Sequence, residues 1–460
     1  MSGKQIVRTG AALEQIRTAL QQAPLTAIRQ ELSDQSILDA CRAYKYVWRD
    51  RLLGPVFTVF HFIQQALQRE FSFAATWQQM SVPVAAACPQ YLLSVDPSAL
   101  THARGRLPRK VLEYLARDSC RRVREMVASK WRGMRLVGLD TTTLSMPAEK
   151  SLFRHFGTHK AKATTVRYPL ATMASLLEIG SSALLDYRFG PFDPGEISTA
   201  GPLLTNLKKG HLLLADRHFS NAPFMIRVAA TGADFLMRKN AKLKVDRLPV
   251  VKRLGRNDFI TQLTISQPVR KNYPDLPQTI RVRIFKAYWK SPDGRRVEEW
   301  FVTSLEDARR FKKTTLARLY HQRWRLETSY LEFKQTFHAD VLRSKTLKNV
   351  YKEFAAHILA YQIVRMLMAK AAALHHRKPT QISAVNTARW ILGFSCAMAV
   401  LPVRSLGDVY AAFLEAIASS LIDERPGRMD PRAIAREWKH YIRLRQPRQQ
   451  WRNQQLRKVS

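Results

Sequence analysis

The chain has 460 residues, which is enough for roughly two to four domains with hydrophobic cores. Hydrophobic residues make up 46% of it, a share typical of soluble globular proteins. Its 75 basic and 36 acidic residues give a formal net charge of +39, so nucleic acid is the expected partner. Charge alone does not exclude a ribosome-associated or merely basic protein.

Cysteine usage and hydropathy exclude further classes. The four cysteines form no C-x-x-C pair, which argues against a disulfide framework or a zinc ribbon and fits a reducing cytosol. The N-terminus carries no apolar signal-peptide segment. The two most apolar stretches, 52–67 and 355–374, are interrupted by polar and charged residues, so neither predicts a membrane span. We therefore expect a cytoplasmic protein without a membrane partner.

Residues 1–130 are predicted to form a helical N-terminal domain. Leu32–Arg49 carries apolar residues at helical spacing, and Ser33 is its predicted N-cap. A DNA-binding domain and a plain helical bundle are both compatible with this pattern. Basic residues become frequent between 121 and 132, at the approach to the next domain.

Residues 131–375 are predicted to form an α/β domain. Its strands are expected at 134–146, 164–179, 183–191, 211–220 and 234–238. Helices are expected at 196–210, which Gly210 closes, and at 223–230. This order of strands and helices is typical of an α/β fold.

The second half of this domain has a different texture. Residues 241–305 alternate charged and β-branched residues between Pro and Gly, which predicts an antiparallel β insertion. Helices resume at Thr314 and continue to about Ala373. Residues 376–460 are predicted to be a C-terminal helical region, ending in a basic tail from Lys439.

Two of the predicted strands end in an aspartate, Asp140 and Asp216. Carboxylates at the carboxyl ends of neighbouring strands converge on one crevice, where α/β proteins usually bind ligands. Paired acids repel each other unless a cation lies between them, and oxygen-only ligands favour Mg²⁺ or Mn²⁺. Alternatively, Asp140 caps a turn and Asp216 forms an ion pair with Arg217.

A second group of candidate residues lies on the predicted helix LARLYHQRWRLETSYLEFKQTF. At about 100° per residue, Tyr320, Arg323, Glu327 and Lys334 fall in one stripe about 60° wide. An acid, a phenol and two cations make a poor core face but would suit a surface that binds metal and phosphate. The alternative is an ordinary i, i+4 pair of Arg323 and Glu327 on a solvated helix.

The spacing of these four residues resembles the Y-R-E-K signature of the insertion-sequence-4 family of DDE transposases. LDTTTLSMP, around Asp140, is similar to the first-Asp motif of that family. LLLADRHFS, around Asp216, is similar to its second motif, including the arginine that follows the aspartate. The resemblance covers residues 134–340, and the N-terminal helical part more loosely.

The resemblance implies a ribonuclease-H-like catalytic core with a β insertion before the helix of the glutamate, flanked by helical N- and C-terminal regions. Asp140, Asp216 and Glu327 would hold two Mg²⁺ ions, for which Mn²⁺ can substitute. The expected activity is that of an insertion-sequence transposase, which cuts element ends and joins them to target DNA. The expected partner is double-stranded DNA, bound by a homodimer in the synaptic complex.

The resemblance also implies DNA-binding residues. Tyr320, Arg323, Lys334 and Arg217 would hold phosphates at the element end. Trp300, in EEWFVTSL, matches a tryptophan that holds a flipped base in relatives that cut through a DNA hairpin. A core tryptophan of the insertion is the alternative interpretation.

Two other functions use the same residues. A ribonuclease-H-like nuclease or junction resolvase would use the acids without strand transfer. A non-catalytic derivative would bind DNA only. The long insertion and the helix signature argue against the first, and the intact acids against the second.

Overall fold

The structure is a computed structural model of the chain. It describes residues 26–49, 53–68, 72–87, 96–126, 130–158, 168–193, 195–290, 296–422, 446, 449–451 and 453–454. Most of the predicted basic tail lies outside these residues. None of the described helices is both long and apolar enough to cross a membrane.

The described part of the chain contains fourteen α-helices and ten strands. The helices are α1 Asp34–Ala43, α2 Pro55–Leu67, α3 Phe73–Ala87, α4 Pro97–Arg106, α5 Arg109–Glu125, α6 Lys150–Phe156, α7 Glu196–Ala200, α8 Ala222–Ala230, α9 Gln267–Asn272, α10 Lys313–His321, α11 Trp324–Gln335, α12 Leu347–Leu374, α13 Ala384–Met398 and α14 Leu406–Ser419. The strands are β1 Lys130–Trp131, β2 Met134–Ser145, β3 Leu170–Glu178, β4 Leu184–Pro191, β5 His211–Ala215, β6 Asp234–Arg238, β7 Lys252–Gly255, β8 Asp258–Thr264, β9 Thr279–Lys290 and β10 Arg296–Thr303.

The chain divides into two compact units. The first consists of Met1–Met126, Leu144–Leu152 and Tyr330–Ile422, and the second of Val127–Thr143, Phe153–Ser329 and Asp423–Ser460. The first unit is built mainly from helices and the second from the sheet. Each is described by itself below.

The helical unit is organised around α12, which packs against α2, α5 and α14. This helix is buried along most of its 28 residues because apolar side chains cover it on every side. Two buried cations on it have partners: Lys352 Nζ donates to the Arg104 carbonyl at 2.5 Å, and Arg365 pairs with Glu332. Ser33 caps α1 as predicted, accepting from the Ser36 amide at 3.1 Å.

The second unit contains a ten-stranded sheet in the order β4-β3-β2-β5-β6-β10-β9-β8-β7, with β1 paired to β2. β2, β5 and β6 pair in parallel, and β3 and β4 antiparallel. Counted along the chain, the five core strands follow the order 3-2-1-4-5, which is that of a ribonuclease-H-like fold. The predicted fold class is confirmed.

The predicted insertion extends this sheet. β10 pairs antiparallel with β6, and β9, β8 and β7 continue outward in antiparallel order. The insertion also contains the short helix α9, which the sequence pattern did not indicate. The insertion therefore forms a continuation of the core sheet.

Helix α11 lies directly on β2 at Gly138. A Cβ atom on this glycine would come within 2.6 Å of Leu326 Cδ2 and 2.9 Å of Ile179 Cδ1. A side chain at this position would force the Leu326 side chain, or the helix that carries it, to move. The glycine therefore allows the helix that carries Glu327 to pack against β2 at a position two residues before Asp140.

The single helix predicted around Glu327 is wrong, because the structure breaks it at Gln322 and Arg323. The Arg323 amide donates to the Tyr320 carbonyl at 2.9 Å, and the Leu326 amide donates to the Arg323 carbonyl at 2.8 Å. These three-residue spacings tighten the turn between α10 and α11. Tyr320 therefore lies on α10, and Glu327 on α11.

Candidate active site

The register between β2 and β5 sets the positions of the two aspartates. The last parallel pair between β2 and β5 joins Leu139 to Ala215. The next residues on the two strands are Asp140 and Asp216, so their carboxylates stand beside each other on one face of the sheet. Gly138 shares that face with Asp140, which makes it the face that α11 covers.

Asp140 has the most perturbed carboxyl group of the site. Burial raises its pKa to about 6, with smaller contributions in the same direction from the negative charges of Asp216 and Glu196. The Thr141 amide, which donates to Asp140 Oδ1 at 2.8 Å, and the nearby Arg323 act in the opposite direction. A buried carboxylate beside another acid is a group that gains from a cation.

Glu327 is held by an arginine. Arg323 Nη2 donates to Glu327 Oε1 at 2.6 Å, and Arg323 Nη1 lies 3.8 Å from Asp140 Oδ2. The Arg323 side chain is only 13% exposed, whereas that of Glu327 is 39% exposed. The guanidinium therefore connects the helix carboxylate to a strand carboxylate. The alternative of an ordinary solvated i, i+4 pair does not account for the contact with Asp140.

Tyr320 is buried, and its hydroxyl forms a hydrogen bond with the backbone. Its hydroxyl donates to the Ala215 carbonyl at 3.3 Å, one residue before Asp216. Its ring packs edge-on against Phe301 at 5.2 Å between centroids. Burial raises the pKa of Tyr320 well above its usual range. In this geometry the phenol supports the strand that carries Asp216.

Trp300 lies on the opposite face of the sheet from the aspartates. β10 pairs Phe301 with Arg238 of β6, and Phe301 faces α10 through Tyr320. Because side chains alternate along a strand, the neighbouring Trp300 points to the other face. There it is half-buried, and Lys286 Nζ lies 5.9 Å from its ring centroid.

The remaining predicted DNA-binding residues are more dispersed. Arg217 follows Asp216 in a 3₁₀ turn, is exposed, and its carbonyl accepts from Asn240 Nδ2 at 3.3 Å. Lys334 lies in the last turn of α11 and belongs to the helical unit. Burial lowers the pKa of Lys334, and Asp340 partly opposes this.

Four residues of the site were not identified from the sequence. Arg238 ends β6 in the register row of Asp216 and pairs with Glu299. Trp324 is 67% exposed beside Arg323. The other two are His218, whose Nδ1 lies 3.7 Å from Asp216 Oδ2, and Glu196. The signal that identified Asp140 and Asp216, a position at the end of a predicted parallel strand, also applies to Arg238.

The donor set suits a hard divalent cation, because it consists of carboxylate oxygens alone. Among the described residues, no three His, Cys, Asp or Glu side chains come close enough together to enclose a cation as they stand. The reason is visible at Glu327, whose carboxylate is directed at Arg323. Two of the three predicted ligands are adjacent, and the third stands on the helix over them.

Comparison with known proteins places the chain in a family. The family model described as "Transposase DDE domain" matches residues 131–363. The transposase InsG for insertion sequence element IS4 of Escherichia coli strain K12 is 26% identical over 380 residues, which is 78% of this chain and 80% of that protein.

A solved structure is also similar. It is the cryo-EM structure of a piggyBac transposase synaptic complex with hairpin DNA, at a TM-score of 0.44 and 11% identity, over 88% of this chain and 86% of that one. The family assignment comes from the family model, whose match spans half of the chain and includes Asp140, Asp216 and Glu327. The chain belongs to the DDE-domain transposases, and its resemblance to the insertion-sequence-4 family is confirmed.

Proposed function

We propose that this transposase cuts the ends of an insertion sequence and joins them to target DNA by phosphoryl transfer at Asp140, Asp216 and Glu327. The observation that carries the proposal is the arrangement of the three acids. Strand register sets the two aspartates side by side, and Arg323 connects Asp140 to Glu327. No such convergence is needed to stabilise the sheet.

Asp140, Asp216 and Glu327 would hold two divalent cations, Mg²⁺ or Mn²⁺. Bound ions of this kind activate the attacking oxygen and stabilise the leaving oxygen of an in-line displacement. Glu327 reaches this role once its carboxylate leaves Arg323. The freed guanidinium, with its planar set of donors, is then able to bind a DNA phosphate.

The residues around the acids position them and the DNA. Tyr320 fixes the end of β5 through the Ala215 carbonyl. Arg217 is exposed beside Asp216 and adds a cation for the DNA backbone. Lys334 and the helical N-terminal region add further phosphate contacts, so we expect binding to weaken steeply as salt rises.

The proposed reaction proceeds through a DNA hairpin, within a dimer that holds both element ends. The hairpin step rests on the sequence context of Trp300. Its ring is half-buried on the face of the sheet away from the acids, near Lys286, which pairs with Glu298. The ring offers a flat apolar surface to an unstacked base. The first-strand cut at the acids does not require this ring.

Alanine variants of the three acids test the proposal. Asp140→Ala, Asp216→Ala and Glu327→Ala should each retain binding to an end duplex and lose Mg²⁺-dependent nicking by about a thousandfold or more. Asp246→Ala is the matched control, because Asp246 is an exposed acid of the same unit. A strand-transfer assay with a 3′-OH donor end separates a transposase from a nuclease. Full nicking by any acid variant would remove that residue from the site.

A further inference from the structure

Arg323 occupies an unusual position for a DNA-binding arginine. Its Nη2 is bonded to Glu327 at 2.6 Å, and its Nη1 lies 3.8 Å from Asp140. Its Nε is buried and has no hydrogen-bond partner among the described residues. The guanidinium is therefore directed into the acid cluster, which consists of Asp140, Asp216 and Glu327. The positive charge that faces these carboxylates is that of Arg323.

The electrostatics of the cluster explain why a cation stands there. Asp140 is largely buried, and Asp216 and Glu196 add negative charge around it. Carboxylates gathered in this way repel one another, and a buried charge without a partner is strongly unfavourable. Arg323 relieves both costs while no other cation is bound.

Arg323 already binds Oε1 of the Glu327 carboxylate. A divalent cation bound by Asp140 and Glu327 would bring a second positive charge against the guanidinium. The two positive charges therefore compete for the carboxylate, and the repulsion between them drives Arg323 away from Glu327. Arg323 lies one residue before α11, so a rotation of its side chain separates it from Glu327 without moving the helix.

We propose that Arg323 is an internal counter-ion of the acid cluster, which a divalent metal ion displaces from Glu327 and a DNA phosphate then receives. The inference rests on the proposed function, since it takes Glu327 to be a metal ligand. It adds a direct competition: in DNA-free protein, Arg323 weakens metal binding. By linkage, a phosphate that binds Arg323 strengthens metal binding.

The test is a titration of DNA-free protein with Mn²⁺ alone. Binding is measured by calorimetry or from the electron paramagnetic resonance signal of free Mn²⁺. Arg323→Gln should bind Mn²⁺ about threefold to tenfold more tightly than the wild type, the range expected for removing a partly exposed ion pair. Arg318→Gln is the control, because it removes the same charge from an exposed position on α10. Its Mn²⁺ affinity should stay within about twofold of the wild type.

A second substitution identifies the ligand concerned. Glu327→Gln should weaken Mn²⁺ binding, and the gain from Arg323→Gln should vanish in the double variant. Arg323→Lys, which keeps one charge without the planar fork, should show a smaller gain and serves if Arg323→Gln does not fold. A loss of metal affinity from misfolding has the opposite sign to the expected gain.

The outcomes separate the two proposals. If Glu327→Gln weakens Mn²⁺ binding but neither Arg323 variant strengthens it, the counter-ion is overturned and the metal site stands. If the wild type binds no Mn²⁺ that depends on Glu327, both proposals fail.

Discussion

Two kinds of support hold the three acids of this transposase. Asp140 and Asp216 directly follow the last parallel pair between β2 and β5, Leu139 with Ala215. Glu327 stands on a helix, is more exposed, and takes its orientation from Arg323. The aspartates are fixed by backbone hydrogen bonds, whereas the glutamate is fixed by an ion pair between side chains.

This difference separates a rigid part of the site from an adjustable one. Strand register cannot change without disrupting the sheet, because a one-residue slip turns every side chain to the other face. An ion pair between side chains can exchange one partner for another. The adjustable carboxylate, that of Glu327, lies on the helix that packs on β2 at Gly138.

The largest effect is expected from Gly138→Ala, which alters how the rigid and adjustable parts meet. The new Cβ would lie 2.6 Å from Leu326 Cδ2, so the Leu326 side chain or α11 itself has to shift. We expect the free energy of unfolding to fall by about 1–3 kcal/mol. We also expect nicking to slow by about a hundredfold, because Glu327 moves relative to Asp140.

Gly190→Ala is the matched control for this prediction. Gly190 lies on β4 of the same sheet, and nothing is within 4 Å of the Cβ that would be added. Thermal unfolding and nicking of an end duplex measure both effects. Equal results for the two glycines would show that the contact of α11 with β2 does not position Glu327.

The next effect concerns the rigid part, and its sign follows from the raised pKa of Asp140, about 6 in the folded protein. In metal-free protein the folded state binds this proton more tightly than the unfolded state. The stabilisation is complete below about pH 4 and is lost as the pH rises through about 6.

Asp140→Asn removes the decrease in stability that the metal-free wild type undergoes as the pH rises. At pH 8 the metal-free variant should be more stable than the wild type by up to about 3 kcal/mol, and the advantage should shrink toward pH 4. Thermal unfolding in a chelator at both pH values measures the difference. A variant that is no more stable than the wild type at pH 8 would contradict a raised pKa of the Asp140 carboxyl.

Trp300→Ala tests a residue on the far face of the sheet. First-strand nicking should be unchanged, while hairpin formation or resolution should slow by about tenfold, the value of one stacked base. Tyr288→Ala is the control, since it removes another ring from the same face, two residues beyond the partner of Trp300. Equal slowing of nicking and the hairpin steps would exclude a base-holding role.

The smallest effect is expected from Tyr320→Phe. The variant loses the bond from the hydroxyl to the Ala215 carbonyl, so the free energy of unfolding should fall by about 1 kcal/mol. If the hydroxyl only supports the strand, DNA affinity should stay within about twofold. A clear loss of affinity for the end duplex would instead support the phosphate contact that the family resemblance implies.

The sequence predicted the parts of the site that depend on local pattern. Asp140 and Asp216 end apolar runs, and such runs in an α/β chain become parallel strands whose ends meet. The i, i+4 pair of Arg323 and Glu327 was the alternative interpretation of this stripe, and the structure contains that contact. These features need no knowledge of how distant segments pair.

Other features depend on tertiary contacts that the pattern does not contain. The face to which Trp300 points is set by the pairing of β10 with β6, and a shift of one residue would reverse it. The break at Gln322 and Arg323 has no Pro or Gly to mark it, so the helical period appeared continuous. Arg238 became visible as part of the site only once β6 was aligned with β5.

A crystal structure of the protein with an end duplex and Mn²⁺, in which anomalous scattering locates the metal, tests the proposed site most directly. We expect ions bound by Asp140, Asp216 and Glu327, with Arg323 moved from Glu327 onto a DNA phosphate. A complex that is competent to cut, yet keeps the Arg323–Glu327 pair intact and binds its metal elsewhere, would contradict this expectation.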